Sequence, residues 1–174
     1  MSKKFYTGDW HFFHYNIMKY CNRPFLDLEH MHESIIENVN KIVKKNDLLY
    51  VLGDVSFYSE KAYPLVARMN GKKHLLIGNH DAKNISKWDL WESVSHYLEI
   101  RDKGYRIVMC HYPFVTWRRS AHGSIHLHGH SHGNLRMSVA GDHHINYGRR
   151  IDVGVDCWGF CPITIDEAIS GSGV

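Results

Sequence analysis

Five short fragments of this 174-residue chain carry side chains that bind cations: Asp9-Trp10-His11, Gly53-Asp54, Gly78-Asn79-His80-Asp81, His111 and Gly129-His130-Ser131-His132. Each sets Asp, Asn or His beside a glycine or at the end of an apolar run. A loop at the tip of a buried strand presents a ligand in this way. Asp9 and His11, two positions apart, can reach one cation from a turning loop. Asp54 is a lone carboxylate after Gly53, and a carboxylate bridges two ions because each oxygen can serve one. Asn79 offers an amide oxygen, and His111, His130 and His132 offer imidazole nitrogen. His130 and His132, separated by Ser131, can be divided between neighbouring ions. Such a mixed donor set suits manganese, iron or zinc better than calcium or magnesium, which prefer all-oxygen shells. No cysteine joins it, which argues against a structural zinc site. The donors suffice for two adjacent divalent cations, and a two-metal site promotes displacement at phosphorus.

The elements that must position these residues are legible as alternating apolar runs and amphipathic stretches. Residues 4–8 predict a first strand, and residues 29–45 a helix with Met31, Ile35, Ile36, Val39, Ile42 and Val43 on one face. Residues 47–54 form an apolar run that ends in Asp54. Residues 60–70 predict a second helix stopped by Gly71, and residues 73–80 a second buried strand that ends at Asn79 and His80. Residues 96–101 and 105–110 predict strands around the turn Asp102-Lys103-Gly104, the second delivering His111. Residues 124–129 lead as a strand into His130. Late strands are expected at 151–156 and 163–165, then a short helix at 166–170. Strand and helix alternate in the first half, and strands dominate the second. That pattern implies an α/β core of packed sheets with helices on their faces. Ligands in such folds sit outside the carboxyl ends of strands, where four of the five fragments fall; Asp9 follows the first strand closely.

The bulk composition bounds the reading. The length fits one domain over residues 1–174 with a real core. An apolar share of 44% and a charged share of 22% exclude a disordered chain. A formal charge of +3 neither demands nor excludes nucleic acid. Fifteen histidines are the abnormal count, and imidazole is the commonest nitrogen ligand for first-row metals. The start of the chain reads as no secretory signal and no run approaches a membrane span. A cytoplasmic protein with Cys21, Cys110, Cys157 and Cys161 as free thiols is therefore expected.

The five fragments, in this order, resemble the motifs of the calcineurin-like metallophosphoesterases: Asp-x-His, Gly-Asp, Gly-Asn-His-Asp, a later His, and Gly-His-x-His. The segment Ile151-Asp152-Val153-Gly154-Val155-Asp156 is similar to the closing strands of small bacterial and phage members. The resemblance implies a four-layer α/β/β/α sandwich of two mixed sheets flanked by helices, an α+β arrangement. It also implies a ligand assignment: Asp9, His11 and His132 on one metal, Asn79, His111 and His130 on the other, and Asp54 bridging. Manganese is the ion expected, with iron, zinc or nickel as alternatives. His80 matches the position that touches substrate and protonates the leaving alkoxide, with Asp81 orienting it. The implied reaction is hydrolysis by a metal-bridging hydroxide.

Protein phosphatases of that family carry Gly-Asp-x-x-Asp-Arg and Arg-Gly-Asn-His. Here the matching stretches are Gly53-Asp54-Val55-Ser56-Phe57-Tyr58 and Ile77-Gly78-Asn79-His80, without either arginine. A monoester dianion needs more cationic clamping than a diester, so a phosphodiester substrate is favoured, a nucleotide or a nucleic-acid end among them. Arg118, Arg119, Arg149 and Arg150 could still supply clamps from loops. His14, in Asp9-Trp10-His11-Phe12-Phe13-His14, extends a motif of diesterase branches and stands as a substrate-binding candidate. The rival readings are a phosphomonoesterase and a catalytically silent metal-binding scaffold. Bland roles are expected elsewhere: His122 in a loop, His126 and His128 bonded within the fold, His143-His144 in a surface hairpin, His30 and His32 on the first helix, and Trp10 packed beneath the site. No membrane and no obligate protein partner is indicated, and a homodimer is the common outcome for such chains.

Overall fold

The computed structural model describes residues 2–135 and 149–171. Its strands are β1 Lys4–Thr7, β2 Leu48–Val51, β3 Lys72–Leu76, β4 Trp91–Ser95, β5 Tyr97–Asp102, β6 Tyr105–Cys110, β7 Ile125–His128 and β8 Arg149–Asp152. Its α-helices are α1 Tyr15–Tyr20, α2 Leu28–Ile42, α3 Ser59–Ala67 and α4 Ile165–Ser170. The first sheet has the order β1-β2-β3-β4 and all its pairs are parallel. Parallel neighbours need crossovers; α1 and α2 lie between β1 and β2, α3 between β2 and β3, and the 3-10 turn Ile85–Lys87 between β3 and β4. The free edge of β1 takes one antiparallel bridge, Tyr6 to Ile163, with bonds of 2.8 and 3.0 Å. The second sheet, β5-β6-β7-β8, is mixed: β5 runs antiparallel to β6, and β6, β7 and β8 run parallel.

Two apolar cores follow from strand alternation. Phe5, Leu49, Val51 and Leu75 face outward from the first sheet and meet Met31, Ile35, Ile36 and Val39 of α2 and Ala62 and Val66 of α3. Asp27 starts α2 by accepting the His30 N–H at 2.8 Å, a cap contributing about 1 kcal/mol. Truncating fully buried Ile35 to Ala would cost roughly 2–5 kcal/mol. Tyr6, Tyr50, Leu52 and Leu76 turn the other way and meet Ile107, Met109, Ile125 and Leu127 of the second sheet. Ile165 and Ala168 of α4 close this inner core beside β1.

The sandwich of two sheets with flanking helices is thus the observed architecture. On the outer face of the second sheet, the cover among the described residues is a loop: Phe114 stacks on His126 at 4.9 Å and Trp117 lies 5.3 Å from it. One strand was not anticipated and two local expectations need correction. Residues 91–95 form the edge strand β4, although their exposed Glu92 and Ser93 dilute its apolar signal. The strand expected at 151–156 begins at Arg149 and stops at Asp152, because the Asp152 carboxylate accepts the Gly154 N–H at 2.8 Å and turns the chain into a 3-10 turn, Val155–Cys157. The strand expected at 163–165 reduces to the Ile163 bridge, after which Thr164 and Glu167 form a capping box for α4. All four cysteines are free. Among the described residues, no helix is long and apolar enough to cross a membrane.

Candidate metal centre

Each candidate donor follows the end of a strand: Asp9 after β1, Asp54 after β2, Asn79 after β3, His111 after β6 and His130 after β7. Backbone bonds stitch these loops together. The Asp9 N–H donates to Gly53 O at 2.9 Å, His11 N–H to Asp54 O at 2.9 Å, and Gly129 N–H to His111 O at 3.0 Å. Asp9, His11, Asp54, His130 and His132 all have φ between 47° and 69°. Left-handed backbone is uncommon outside glycine and costs energy that the surrounding fold must supply; it clusters at functional sites. Gly53, at φ 83°, admits no side chain, since a Cβ would lie 2.6 Å from Gly78 N and 2.7 Å from His111 Nδ1.

The side chains converge in two groups. Ligand atoms of Asp9, His11 and His132 lie within 4.8 Å of one another, as do those of Asp54, His111 and His130. Asn79 joins the second group, its Oδ1 3.0 Å from His111 Nε2. Asp54 lies between the groups, Oδ2 3.4 Å from His11 Nε2 and Oδ1 3.4 Å from His111 Nε2. Despite that proximity, His11 Nε2 and Asp54 Oδ2 make no hydrogen bond and are buried. Orphaned buried polar atoms are costly. The His111 ring repeats the pattern. Its Nδ1–H donates to Leu52 O at 2.7 Å, so the Nε2 lone pair faces two acceptor oxygens. A cation in either place would satisfy lone pairs that no proton serves, so the donors fit divalent metal.

The electrostatics of His11 and His111 agree. Burial first, then neighbouring cationic groups, pushes His11 far down; burial also lowers His111. Both imidazoles are therefore neutral at physiological pH, the form that binds metal. Burial raises Asp9 well above the usual carboxylate range. His132 differs: burial opposes its charge, yet Asp156, Cys21 and Asp9 together outweigh this and raise it to about 10. Its Nδ1 lies 2.7 Å from Asp156 Oδ2, which fixes the ring. This is the carboxylate–histidine pairing that orients metal ligands.

Two supporting residues carry no signal of their own in the sequence. Arg23 is buried and grips Asp156 with two bonds of 2.8 Å. Its remaining N–H groups donate to Asp9 O at 2.7 Å and Trp10 O at 2.9 Å. Arg23 and Asp156 thus tie the first ligand loop to His132. Only the return of Asp156 to Arg23, 133 residues along the chain, reveals the pair.

Asp81 is corrected. Its two oxygens accept three backbone N–H groups, from Val55 at 2.7 Å, Gly78 at 2.8 Å and Asp54 at 3.1 Å. It clamps two ligand loops together and does not bond the His80 ring. Burial nonetheless raises it to about 6. His80 is half-buried, and its N–H donates to Asp54 Oδ1 at 2.8 Å. Its ring lies 5.3 Å from that of His11 and 4.6 Å from that of Phe57. His14 reaches the same mouth, Nδ1 at 3.4 Å from His11 Nδ1, with Phe57 5.1 Å away.

The four arginines considered as clamps lie elsewhere. Arg149 and Arg150 pair with Ile125 and His126 on β8, far from the His130 end of β7. Arg118 pairs with Glu99 at 3.0 Å, and Arg119 lines a cavity with Arg101 and Arg106. Trp10 is fully buried beneath the ligands. His126 and His128 bond within the fold, to Val108 O and Gly129 O. His122 ends an exposed 3-10 turn. His143 and His144 lie outside the described residues.

No family model matches the chain. It is 32% identical over 170 residues to the uncharacterised protein MJ1445 of Methanocaldococcus jannaschii, covering 95% of this chain and 89% of that one. The gene 66 protein of Mycobacterium phage L5 is 30% identical over 190 residues, covering 91% and 89%. The crystal structure of the protein of unknown function AQ665 from Aquifex aeolicus matches at a TM-score of 0.75 and 25% identity, covering 98% of this chain and 99% of that one. Identity of this extent over nearly whole chains places the protein in one family with archaeal MJ1445 and the phage L5 gene 66 protein.

Proposed function

We propose that this protein is a two-metal-dependent phosphodiesterase of the calcineurin-like metallophosphoesterase type. Asp9, His11 and His132 would hold one divalent cation and Asn79, His111 and His130 the other, with Asp54 between them; manganese suits this nitrogen and oxygen set. The observation that carries the reading is the buried, unbonded pair His11 Nε2 and Asp54 Oδ2, beside a His111 lone pair aimed at two oxygens. Two bound cations would supply an activated water for attack at phosphorus and neutralise charge on the phosphoryl oxygens.

The protein's own groups account for the rest. His80 sits at the mouth with a ring that makes no hydrogen bond among the described residues, and an imidazole there can donate its proton to the departing alkoxide. Its N–H bond to Asp54 holds it beside the shared carboxylate. Asp81 keeps the Asp54 and Asn79 loops in register. His14 and Phe57 flank the mouth and are placed to contact the substrate. The only arginine near the donors, among the described residues, lies beneath them with its N–H groups spent on Asp156 and backbone. Among the described residues the mouth carries no guanidinium clamp, which favours the singly charged diester over the monoester dianion. Free thiols fit a cytoplasmic location. Rates on bis-nitrophenyl and mono-nitrophenyl phosphate with Mn²⁺ test the reading. Faster diester cleavage is expected, and a large monoester preference would overturn it.

A further inference from the structure

The second sheet carries another constellation at the end away from the metal donors. Arg101 of β5 and Arg106 of β6 are direct cross-strand partners. The neighbouring Asp102 points between the sheets, where it accepts the Tyr6 hydroxyl at 2.9 Å. By alternation Arg101 and Arg106 turn to the outer face. Arg119 joins them from the loop above, and the three arginines, with His122 and Ser124, line a cavity of about 210 Å³.

Like charges set directly opposite each other on a sheet repel. Among the described residues the side chains of Arg101, Arg106 and Arg119 make no hydrogen bond or ion pair; the Glu99 carboxylate acts on Arg106 only through space. Glu99, two residues before Arg101 on the same face, is engaged by Arg118 at 3.0 Å and by the Tyr97 hydroxyl at 2.6 Å. The loop that presents Arg119 is tied down. Arg119 has φ 60°, its carbonyl accepts the His122 and Ser124 N–H groups at 2.8 and 3.2 Å, and Ser124 Oγ donates to Arg118 O at 2.7 Å. Three unpaired guanidinium forks around one small cavity match the oxygens of a phosphate group, which they can engage in paired hydrogen bonds. Arg106 precedes His111 by five residues on one strand, roughly 16 Å, so a phosphate held here is not the one at the metal donors.

We propose that this pocket is a second, separate phosphate-binding site. Its ligand is either a free phosphate anion or a backbone phosphate of a single strand. The site does not depend on the phosphodiesterase reading, and its test needs no turnover. The isotope-labelled full chain is titrated with inorganic phosphate, and in a second arm with single-stranded oligothymidylate, at ionic strength held constant with chloride. The amides of Gly104, Gly123 and Ser124 are expected to shift saturably. Arg106→Gln and Arg119→Gln are each expected to weaken that binding about tenfold or more, while phosphate-induced shifts near His111 and His130 stay as in wild type. Arg106→Lys, which keeps charge and loses the fork, should also weaken it. Saturation by the oligonucleotide far below the phosphate concentration identifies a strand as ligand; comparable or weaker oligonucleotide binding identifies the free anion. Shifts that fail to saturate, that chloride alone reproduces, or that persist undiminished in both glutamine variants would overturn the proposal. Melting temperatures of the two glutamine variants at or above wild type are expected, since each removes a repulsive partner.

Discussion

The two halves of the candidate metal centre are built differently. Asp9 and His11 are buried, at 0% and 1% exposure, and behind them Arg23, Asp156 and His132 form a bonded chain. In the other half His111 is buried, but Asn79 and His130 are exposed, and His111 is oriented by one backbone carbonyl, Leu52 O. Preorganised, enclosed donors lose little freedom on binding; exposed ones must be ordered. The first half should therefore hold its cation more tightly, and the second should exchange its cation and meet the substrate. Asp54 couples the halves.

Substitutions separate the two halves, with the largest effect at Asp54. Asp54→Ala removes the donor common to both and should lower hydrolysis by roughly three orders of magnitude or more. Metal analysis should show at least one cation lost. His80→Ala should reduce kcat by about 10²–10⁴-fold with cation content and melting temperature unchanged, separating proton donation from metal binding. Asp156→Asn sharpens the asymmetry. Cation affinity in the first half should fall about 10–100-fold while the second half keeps its own, as read by two-site titration. The same change leaves Arg23 buried with a weakened partner, so thermal unfolding should show a stability loss approaching about 3 kcal/mol.

The smallest effect concerns two buried histidine latches. His32 Nε2 accepts the Phe13 N–H at 2.9 Å and His126 Nε2 accepts the Phe114 N–H at 3.1 Å. Burial lowers both to about 4, from about 6.5 when unfolded. As pH falls the unfolded chain takes up protons first. The latches contribute fully above about pH 6.5, lose their contribution between there and pH 4, and offer nothing below. Each should be worth on the order of 1–3 kcal/mol across that window. Urea unfolding of metal-free His32→Gln and His126→Gln should show a shallower acid limb than wild type, and an unchanged limb would remove the latches from the account.

What was legible in the sequence tracks how local the signal is. The donors sit beside glycines at the ends of apolar runs, so Asp54, Asn79 and His111 announce themselves within a few residues. The face of α2 is legible for the same reason, since Met31, Ile35, Ile36 and Val39 recur at helical spacing. Asp81 shows the limit. It lies beside His80 in the chain and was expected to serve it, but its oxygens point to the Val55, Gly78 and Asp54 amides across the loop pair. Arg23 lies in Cys21-Asn22-Arg23-Pro24, a segment without periodicity, and acquires meaning only when Asp156 returns to it. The edge strand β4 was hidden because a half-solvated edge need not alternate cleanly.

The central claim is that these donors hold two cations. Loading purified wild-type protein with Mn²⁺, removing the excess and counting bound metal tests it most directly. About two cations per chain are expected, with the more exposed His130 half emptied first on mild chelation. Fewer than one cation per chain after loading would contradict the account.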